Sequence, residues 1–162
     1  MKKVYLYILA IVILILENSI TNYISIFGVT IDFLLIFLTI ISLYLDELES
    51  GIMGAIIGLL KDISVGGIFG VNALIYFVVC YMISYSRNKI YKESKVTIFT
   101  LILATTIFSS VMNILSSIVV YSSFSIIKLM VRGIVILPIL NSLVALILYR
   151  AFDKSILKLK ED

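Results

Sequence analysis

The sequence predicts an all-helical integral membrane protein, a bundle of six transmembrane helices forming one domain over residues 1–162. Of the 162 residues, 62% are hydrophobic and 14% are charged, and the mean hydropathy is +1.19. A typical soluble domain is about 25% charged and roughly 45–50% apolar. A soluble fold of this size has no interior large enough for so much aliphatic surface, and the gaps between apolar runs leave no room for a soluble domain.

Six apolar runs are separated by charged or turn residues. They cover 4–16 (an extension to 27 is left open), 29–45, 51–63, 70–86, 96–120 and 132–152. A transmembrane helix needs about 20 apolar residues, and fewer when neighbouring helices surround it. The first run has the basic start of a signal peptide but no small-residue cleavage site after it, which predicts an uncleaved helix.

The distribution of Lys and Arg orients these runs. With six alternating spans, ten of the 13 basic residues fall on one side, and Lys61, Lys128 and Arg132 fall on the other. Cytoplasmic loops of membrane proteins carry the excess of Lys and Arg, so both termini are predicted to be cytoplasmic. Merging the second and third runs would separate the basic loop 87–95 from the basic N-terminus, which favours six spans.

Small residues and one acid form a stripe along the third run. Gly51, Gly54, Gly58 and Asp62 are spaced by three, four and four residues, which places them on one helical face. Two glycines four residues apart allow helix backbones to approach closely. Three interpretations stay open: packing inside the bundle, docking of a partner helix, and a small-molecule or ion site at Asp62.

An ionised Asp62 within a span requires a partner, because a buried charge is costly in a bilayer. Lys128 and Arg132 are the other cations predicted on that side, so they are the candidate ion-pair partners. Lys61 lies about 100° around the helix from Asp62. We expect its side chain to extend to the outer headgroups.

Polar residues also occur within the last two runs. The fifth run places six of them on one face: Thr106, Ser109, Ser110, Asn113, Ser116 and Ser117. They predict either hydrogen bonds between helices, about 0.6 kcal/mol each, or the lining of a ligand cavity. In the sixth run, Asn141 and Ser142 follow Pro138, and we expect them to satisfy the carbonyl that proline leaves free.

The residues that catalysis commonly uses are missing from the sequence. It has no histidine and one cysteine, and it has neither a Ser-His pair nor a phosphate-binding loop of the Walker type. The charged residues are expected at loops, without a buried acid–base pair. We therefore predict no catalytic residue, no metal, no cofactor and no nucleic-acid partner.

Residues 26–85 resemble the bacterial rod shape-determining protein MreD. The resemblance consists of an acidic entry to the second helix, spaced glycines leading to G-L-x-x-D, a glycine turn and A-L-x-Y. The matching positions are Asp32, Gly51, Gly54, Gly58, Asp62, Gly70, Ala73, Leu74 and Tyr76. The segment "LPILNSLVALILYR" is similar to the last helix of the family, whereas Ile31 stands where the family usually has proline.

The resemblance implies a non-enzymatic scaffold of the cell-elongation machinery in the bacterial cytoplasmic membrane. Such proteins bind MreC and help couple MreB filaments to RodA and the penicillin-binding transpeptidase, which make peptidoglycan. The implied fold resembles the substrate-binding subunit of energy-coupling-factor transporters. The alternative function is therefore a vitamin-binding transporter subunit. The first helix, however, has only Ala10 of the A-x-x-x-A motif common in those subunits, and the chain has no Trp.

Overall fold

A computed structural model describes residues 2–21, 28–66, 68–89, 94–120 and 131–160. This part of the chain is all-helical, as predicted. Its α-helices are α1 (Lys2–Thr21), α2 (Phe33–Ser42), α3 (Glu47–Val65), α4 (Val71–Ser86), α5 (Lys95–Val120) and α6 (Leu137–Lys160). A 3₁₀ turn, Arg87–Lys89, follows α4, and a π-helical segment, Val131–Ile136, precedes α6.

Two helices differ in length from the apolar runs that predicted them. Helix α2 begins only at Phe33, because Asp32 caps it: the Asp32 carboxylate accepts a hydrogen bond from the Leu35 N–H at 2.9 Å. Helix α3 begins at Glu47, before the apolar run starts. Glu47 and Glu49 lie in its first turn, where negative charge interacts favourably with the helix dipole.

Helix α2 lies at the centre of the fold. Residues 34–42 are all buried, so other parts of the protein surround this helix on every side. One side packs with α1, α3 and α4, through contacts that include Leu38, Ala10 and Ile57. The other side packs with α5 and α6 in a second cluster, whose members are Ile36, Ile40, Ile98, Ile102, Ala145 and Tyr149. The core therefore joins a four-helix unit, α1–α4, to the α5–α6 pair.

Consecutive helices of the α1–α4 unit run in opposite directions. Contacts from Lys61 join the end of α1, the start of α2, the end of α3 and the start of α4. At the opposite end of the unit, Arg87 donates to the Leu45 carbonyl at 2.6 Å and to Asp46 at 2.7 Å. This alternation agrees with the predicted order of the first four helices.

Two helical stretches of the described chain are long and apolar enough to cross a membrane: Lys95–Val119 and Val131–Tyr149. Two further apolar helices, Val4–Ser19 and Phe33–Ser42, are shorter. Helix α3 carries charged residues near both ends, and α4 has 16 residues. The stretches that combine sufficient length with apolar composition thus lie in α5 and in the segment that leads into and forms the first half of α6.

The π-helical segment precedes Pro138 in the first turn of α6. Proline has no N–H and its ring clashes with the carbonyl four residues earlier, so a regular helix cannot continue unchanged through this position. Gly133 within the segment packs near Ser110 and Ile114 of α5. The π-helical segment thus packs against α5 and leads into the last helix.

Candidate functional site

Four polar side chains from four helices meet at one end of the α1–α4 unit. The Lys61 Nζ of α3 lies 2.8 Å from Glu17 Oε1 of α1 and 3.0 Å from Asp32 Oδ1 at the start of α2. It also donates to the Tyr76 hydroxyl of α4 at 2.7 Å. The Tyr76 hydroxyl in turn donates to the Asp32 carboxylate, at 3.2 Å from each oxygen. We call Glu17, Asp32, Lys61 and Tyr76 the Lys61 cluster.

The Lys61 cluster is largely buried. The side chains of Glu17, Lys61 and Asp32 are 5%, 12% and 18% exposed, and Tyr76 is fully buried. The prediction that Lys61 extends to the headgroups is wrong, because two carboxylates and a hydroxyl bind its ammonium group inside the bundle. The expectation that no acid–base pair is buried is wrong for the same reason.

Both carboxylates of the cluster also bind the first turn of α2. Glu17 Oε2 accepts the Leu34 N–H at 2.8 Å, and Asp32 accepts the Leu35 N–H. The N–H groups of a first helical turn have no partner within the helix, and the positive end of the helix dipole favours anions there. The cluster therefore both joins four helices and caps the central one.

Asn141 connects the cluster to the α5–α6 pair. Its Oδ1 accepts the Asp32 backbone N–H at 3.1 Å, and its Nδ2 donates to Thr106 Oγ1 of α5 at 3.3 Å. The side chain of Asn141 is fully buried. These contacts differ from the predicted one, a bond to the carbonyl that Pro138 leaves free.

Asp62 lies next to Lys61 in the chain but has a different role. Its carboxylate accepts the backbone N–H groups of Gly70, Asn72 and Ala73 at 2.9, 3.2 and 3.2 Å, and the Asn72 amide at 2.8 Å. Asp62 is 2% exposed. It faces a neighbouring helix, as predicted, and it caps the N-terminus of that helix, α4.

The predicted ion pair between Asp62 and Arg132 is wrong. The hydrogen bonds that α4 gives to Asp62 occupy both of its carboxylate oxygens. The guanidinium group of Arg132 lies against Gly28. Lys128, the other predicted partner, lies outside the described residues.

The glycine face of α3 is covered by α4 of the same chain. A Cβ atom on Gly54 would lie 2.5 Å from the Tyr76 carbonyl oxygen, and one on Gly58 would lie 2.5 Å from Ala73 Cα. At Gly51 the nearest atoms belong to the Phe77 ring, at 3.0 Å. The close approach brings Tyr76 beside Lys61. A partner helix would have to displace α4 to reach this face.

The polar face of α5 divides into two parts. Thr106 bonds to Asn141, and Thr105 lies 3.4 Å from Thr39 of α2, so the inner part makes contacts between helices. Asn113 instead donates to the Ser109 carbonyl at 3.0 Å, and Ser116 to the Met112 carbonyl at 2.9 Å, both within α5. Of the two interpretations of this face, hydrogen bonding between helices and the lining of a ligand cavity, the first therefore applies at Thr106.

Sequence reasoning missed Glu17, and a usable signal was present. In alternating spans, the end of the first run, the start of the second and the end of the third lie on the same side. Glu17, Asp32 and Lys61 occupy those places, so the six-span topology by itself puts two acids and one base at one level. An ionisable residue within a span is a functional candidate with a partner to be found.

The comparisons with known proteins identify the family. Residues 1–157 match the model of the family described as rod shape-determining protein MreD. The chain belongs to the MreD family. Membership supports a role in rod shape determination and a membrane location. No curated protein and no solved structure matches the chain.

The MreD-like motif residues of this chain coincide with the contacts described above. Asp32 and Tyr76 belong to the Lys61 cluster, and Asp62 caps α4. Gly54 and Gly58 bring α3 and α4 together. These motif residues therefore join the helices of the α1–α4 unit to one another. Among the described residues, no group of three His, Cys, Asp or Glu side chains could hold a metal ion.

Proposed function

We propose that this chain is a non-enzymatic membrane scaffold of the rod-shape machinery. It binds MreC and helps couple MreB filaments to the RodA–transpeptidase pair that makes peptidoglycan. The observation that carries the proposal is the match of residues 1–157 to the MreD family. The motif residues support a non-enzymatic role, because the polar atoms of Asp32, Tyr76 and Asp62 bond to other residues of the fold.

The chemistry of the Lys61 cluster favours a supporting role over a catalytic one. Lys61 has three oxygen partners, and Glu17 and Asp32 each also accept a backbone N–H. A catalytic group must reach a substrate in a cleft. These groups are instead directed at neighbouring helices, where they fix the relative positions of those helices.

We further propose six membrane spans with both termini in the cytoplasm. The alternating directions of α1–α4 and the excess of basic residues on one side support this topology. Helix α2 has ten residues, about 15 Å at 1.5 Å per residue, which is about half of a hydrocarbon core of about 30 Å. Such a short span is compatible with a bilayer because protein surrounds α2.

Depletion of the chain in the bacterium that encodes it tests the proposal. We expect depleted cells to become round, and a tagged full-length chain to restore rods and to capture MreC from detergent-solubilised membranes. Rods that persist after depletion, together with a stoichiometric vitamin in the purified protein, would contradict the scaffold and favour the transporter subunit.

A further inference from the structure

The guanidinium group of Arg132 packs against Gly28, in the space that a side chain there would fill. We call this contact position on Gly28 the seat of Arg132. A Cβ atom on Gly28 would lie 2.8 Å from Arg132 Cζ, 2.9 Å from one terminal nitrogen and 3.0 Å from the other. All three distances are nearly equal, so the guanidinium group faces the position that a side chain at residue 28 would occupy. Gly28 also has a φ of +76°, a conformation that glycine adopts readily and other residues rarely do.

The donors of this guanidinium group are not used within the described part of the chain. No described carboxylate or carbonyl pairs with Arg132, although Asp32 lies only four residues after Gly28 in sequence. The Asp32 carboxylate is already bound by Lys61, Tyr76 and the Leu35 N–H. Arg132 is half-buried and Gly28 is exposed, so the seat opens to the protein surface.

The position of Arg132 along its helix suggests what the seat binds. The sixth apolar run of the sequence begins at Arg132, and the described stretch Val131–Tyr149 is long and apolar enough to cross a membrane. The end of such a stretch lies at the headgroup level of a bilayer. Val131 and Val135 are 49% and 52% exposed, so apolar surface suited to acyl chains adjoins the charge.

We propose that Arg132, seated on Gly28, binds a phosphate group, with the phosphodiester of an anionic phospholipid as the occupant. The planar guanidinium group presents paired N–H donors that match two phosphate oxygens, and such charge-assisted bonds are stronger than neutral ones. Because no described residue bonds to the guanidinium group, a ligand can bind its donors without breaking a contact within the described part of the chain. The inference rests on the membrane location in the proposed function.

Binding of phosphatidylglycerol to the purified full-length chain in mild detergent tests the inference, with native mass spectrometry as the readout. We expect saturable binding of one lipid that weakens about tenfold in Arg132→Gln, which loses the paired bonds. The loss should be smaller in Gly28→Ala, whose Cβ moves the flexible end of Arg132 but keeps its donors. Arg132→Lys keeps the charge but not the fork, and its affinity should lie between wild type and Arg132→Gln.

Gly66→Ala is the matched control. Gly66 has a φ of +69°, close to that of Gly28, but nothing lies within 4 Å of an added Cβ. It therefore carries the backbone strain without displacing Arg132, and we expect wild-type affinity. Arg132→Gln stays informative if Gly28→Ala does not fold.

Inorganic phosphate, added as a competitor, distinguishes the two sources of the ligand. We expect no displacement of the lipid at millimolar phosphate. Displacement would show that Arg132 binds phosphate but that free inorganic phosphate, and not the lipid, is its ligand. Wild-type lipid affinity in Arg132→Gln would overturn the inference, as would equal losses in Gly66→Ala and Gly28→Ala. Capture of MreC by the same variants is measured in parallel, so that failure of the scaffold proposal is seen separately.

Discussion

The two ends of the α1–α4 unit are both held by ion pairs, but in different surroundings. At one end Lys61 and Glu17 are 12% and 5% exposed. At the other end Arg87 and Asp46 are 27% and 70% exposed. An exposed ion pair typically contributes about 0–1 kcal/mol, whereas removing one partner of a buried pair costs about 3–5 kcal/mol. Similar contact distances therefore do not mean similar costs when one partner of an ion pair is removed.

Lys61→Met should have the largest effect. It leaves the carboxylates of Glu17 and Asp32 buried without their cation, and we expect the free energy of unfolding to fall by about 3–5 kcal/mol. Reversible unfolding of the purified chain in mixed detergent micelles measures this loss. A loss below about 1 kcal/mol would show that the cluster is not the main tie between these helices.

Asp62→Asn should have the next largest effect. The amide keeps one acceptor oxygen, but its NH₂ group cannot accept from the Gly70 and Ala73 N–H groups that now bind Asp62 Oδ2. A buried donor left without a partner costs about 1–3 kcal/mol. We expect a loss of about 2 kcal/mol and faster amide hydrogen exchange in the first turn of α4. Unchanged exchange there would contradict the capping role.

Glu17→Gln should be much milder than Lys61→Met, although the two residues share one contact. The cluster has two carboxylates for one ammonium group, so removing Glu17 leaves Lys61 paired with Asp32. The amide oxygen of the new Gln can still accept the Leu34 N–H, but its NH₂ group then faces the Lys61 ammonium group and cannot accept from it. We expect a loss of about 1.5 kcal/mol, the low end of the range for a hydrogen bond to a charged group, because Lys61 keeps Asp32 and Tyr76. Equal losses of unfolding free energy in Glu17→Gln and Lys61→Met would contradict the arrangement of two carboxylates around one ammonium group.

Arg87→Gln should have the smallest effect. Its ion pair with Asp46 is exposed, and the Leu45 carbonyl, which Arg87 also binds, keeps a hydrogen bond from the Ser84 hydroxyl. We therefore expect a change of about 0–1 kcal/mol. The same unfolding measurement applies, and added salt should reduce the difference further. A loss as large as that in Lys61→Met would remove the distinction between the two ends.

The sequence predicted those features that depend on spacing along one helix. The positions of Gly51, Gly54, Gly58 and Asp62 are enough to place them on one face, and that face lies on α4. The helical segments likewise followed from apolar runs, because burial in lipid or protein requires them. Spacing alone, however, does not reveal which helix covers a face.

The remaining features depend on contacts between helices, and spacing does not encode those. Lys61 could reach headgroups or a buried carboxylate, and only the position of α1 relative to α3 brings Glu17 to 2.8 Å from it. Arg132 was assigned to Asp62 by elimination of other cations, yet its guanidinium group lies on Gly28, a residue without charge. Helix α2 is short because the Asp32 carboxylate caps it within an otherwise apolar run.

A pair of double-mutant cycles tests the central claim most directly, namely that the buried Lys61 cluster, and not the exposed ion pair, holds the α1–α4 unit together. The first cycle combines Lys61→Met with Asp32→Asn, and the second combines Arg87→Gln with Asp46→Asn. Unfolding free energies of all variants give the two coupling energies. We predict a coupling of about 2 kcal/mol or more between Lys61 and Asp32, and one below about 1 kcal/mol between Arg87 and Asp46. Equal couplings, or a larger one for the exposed pair, would contradict the account.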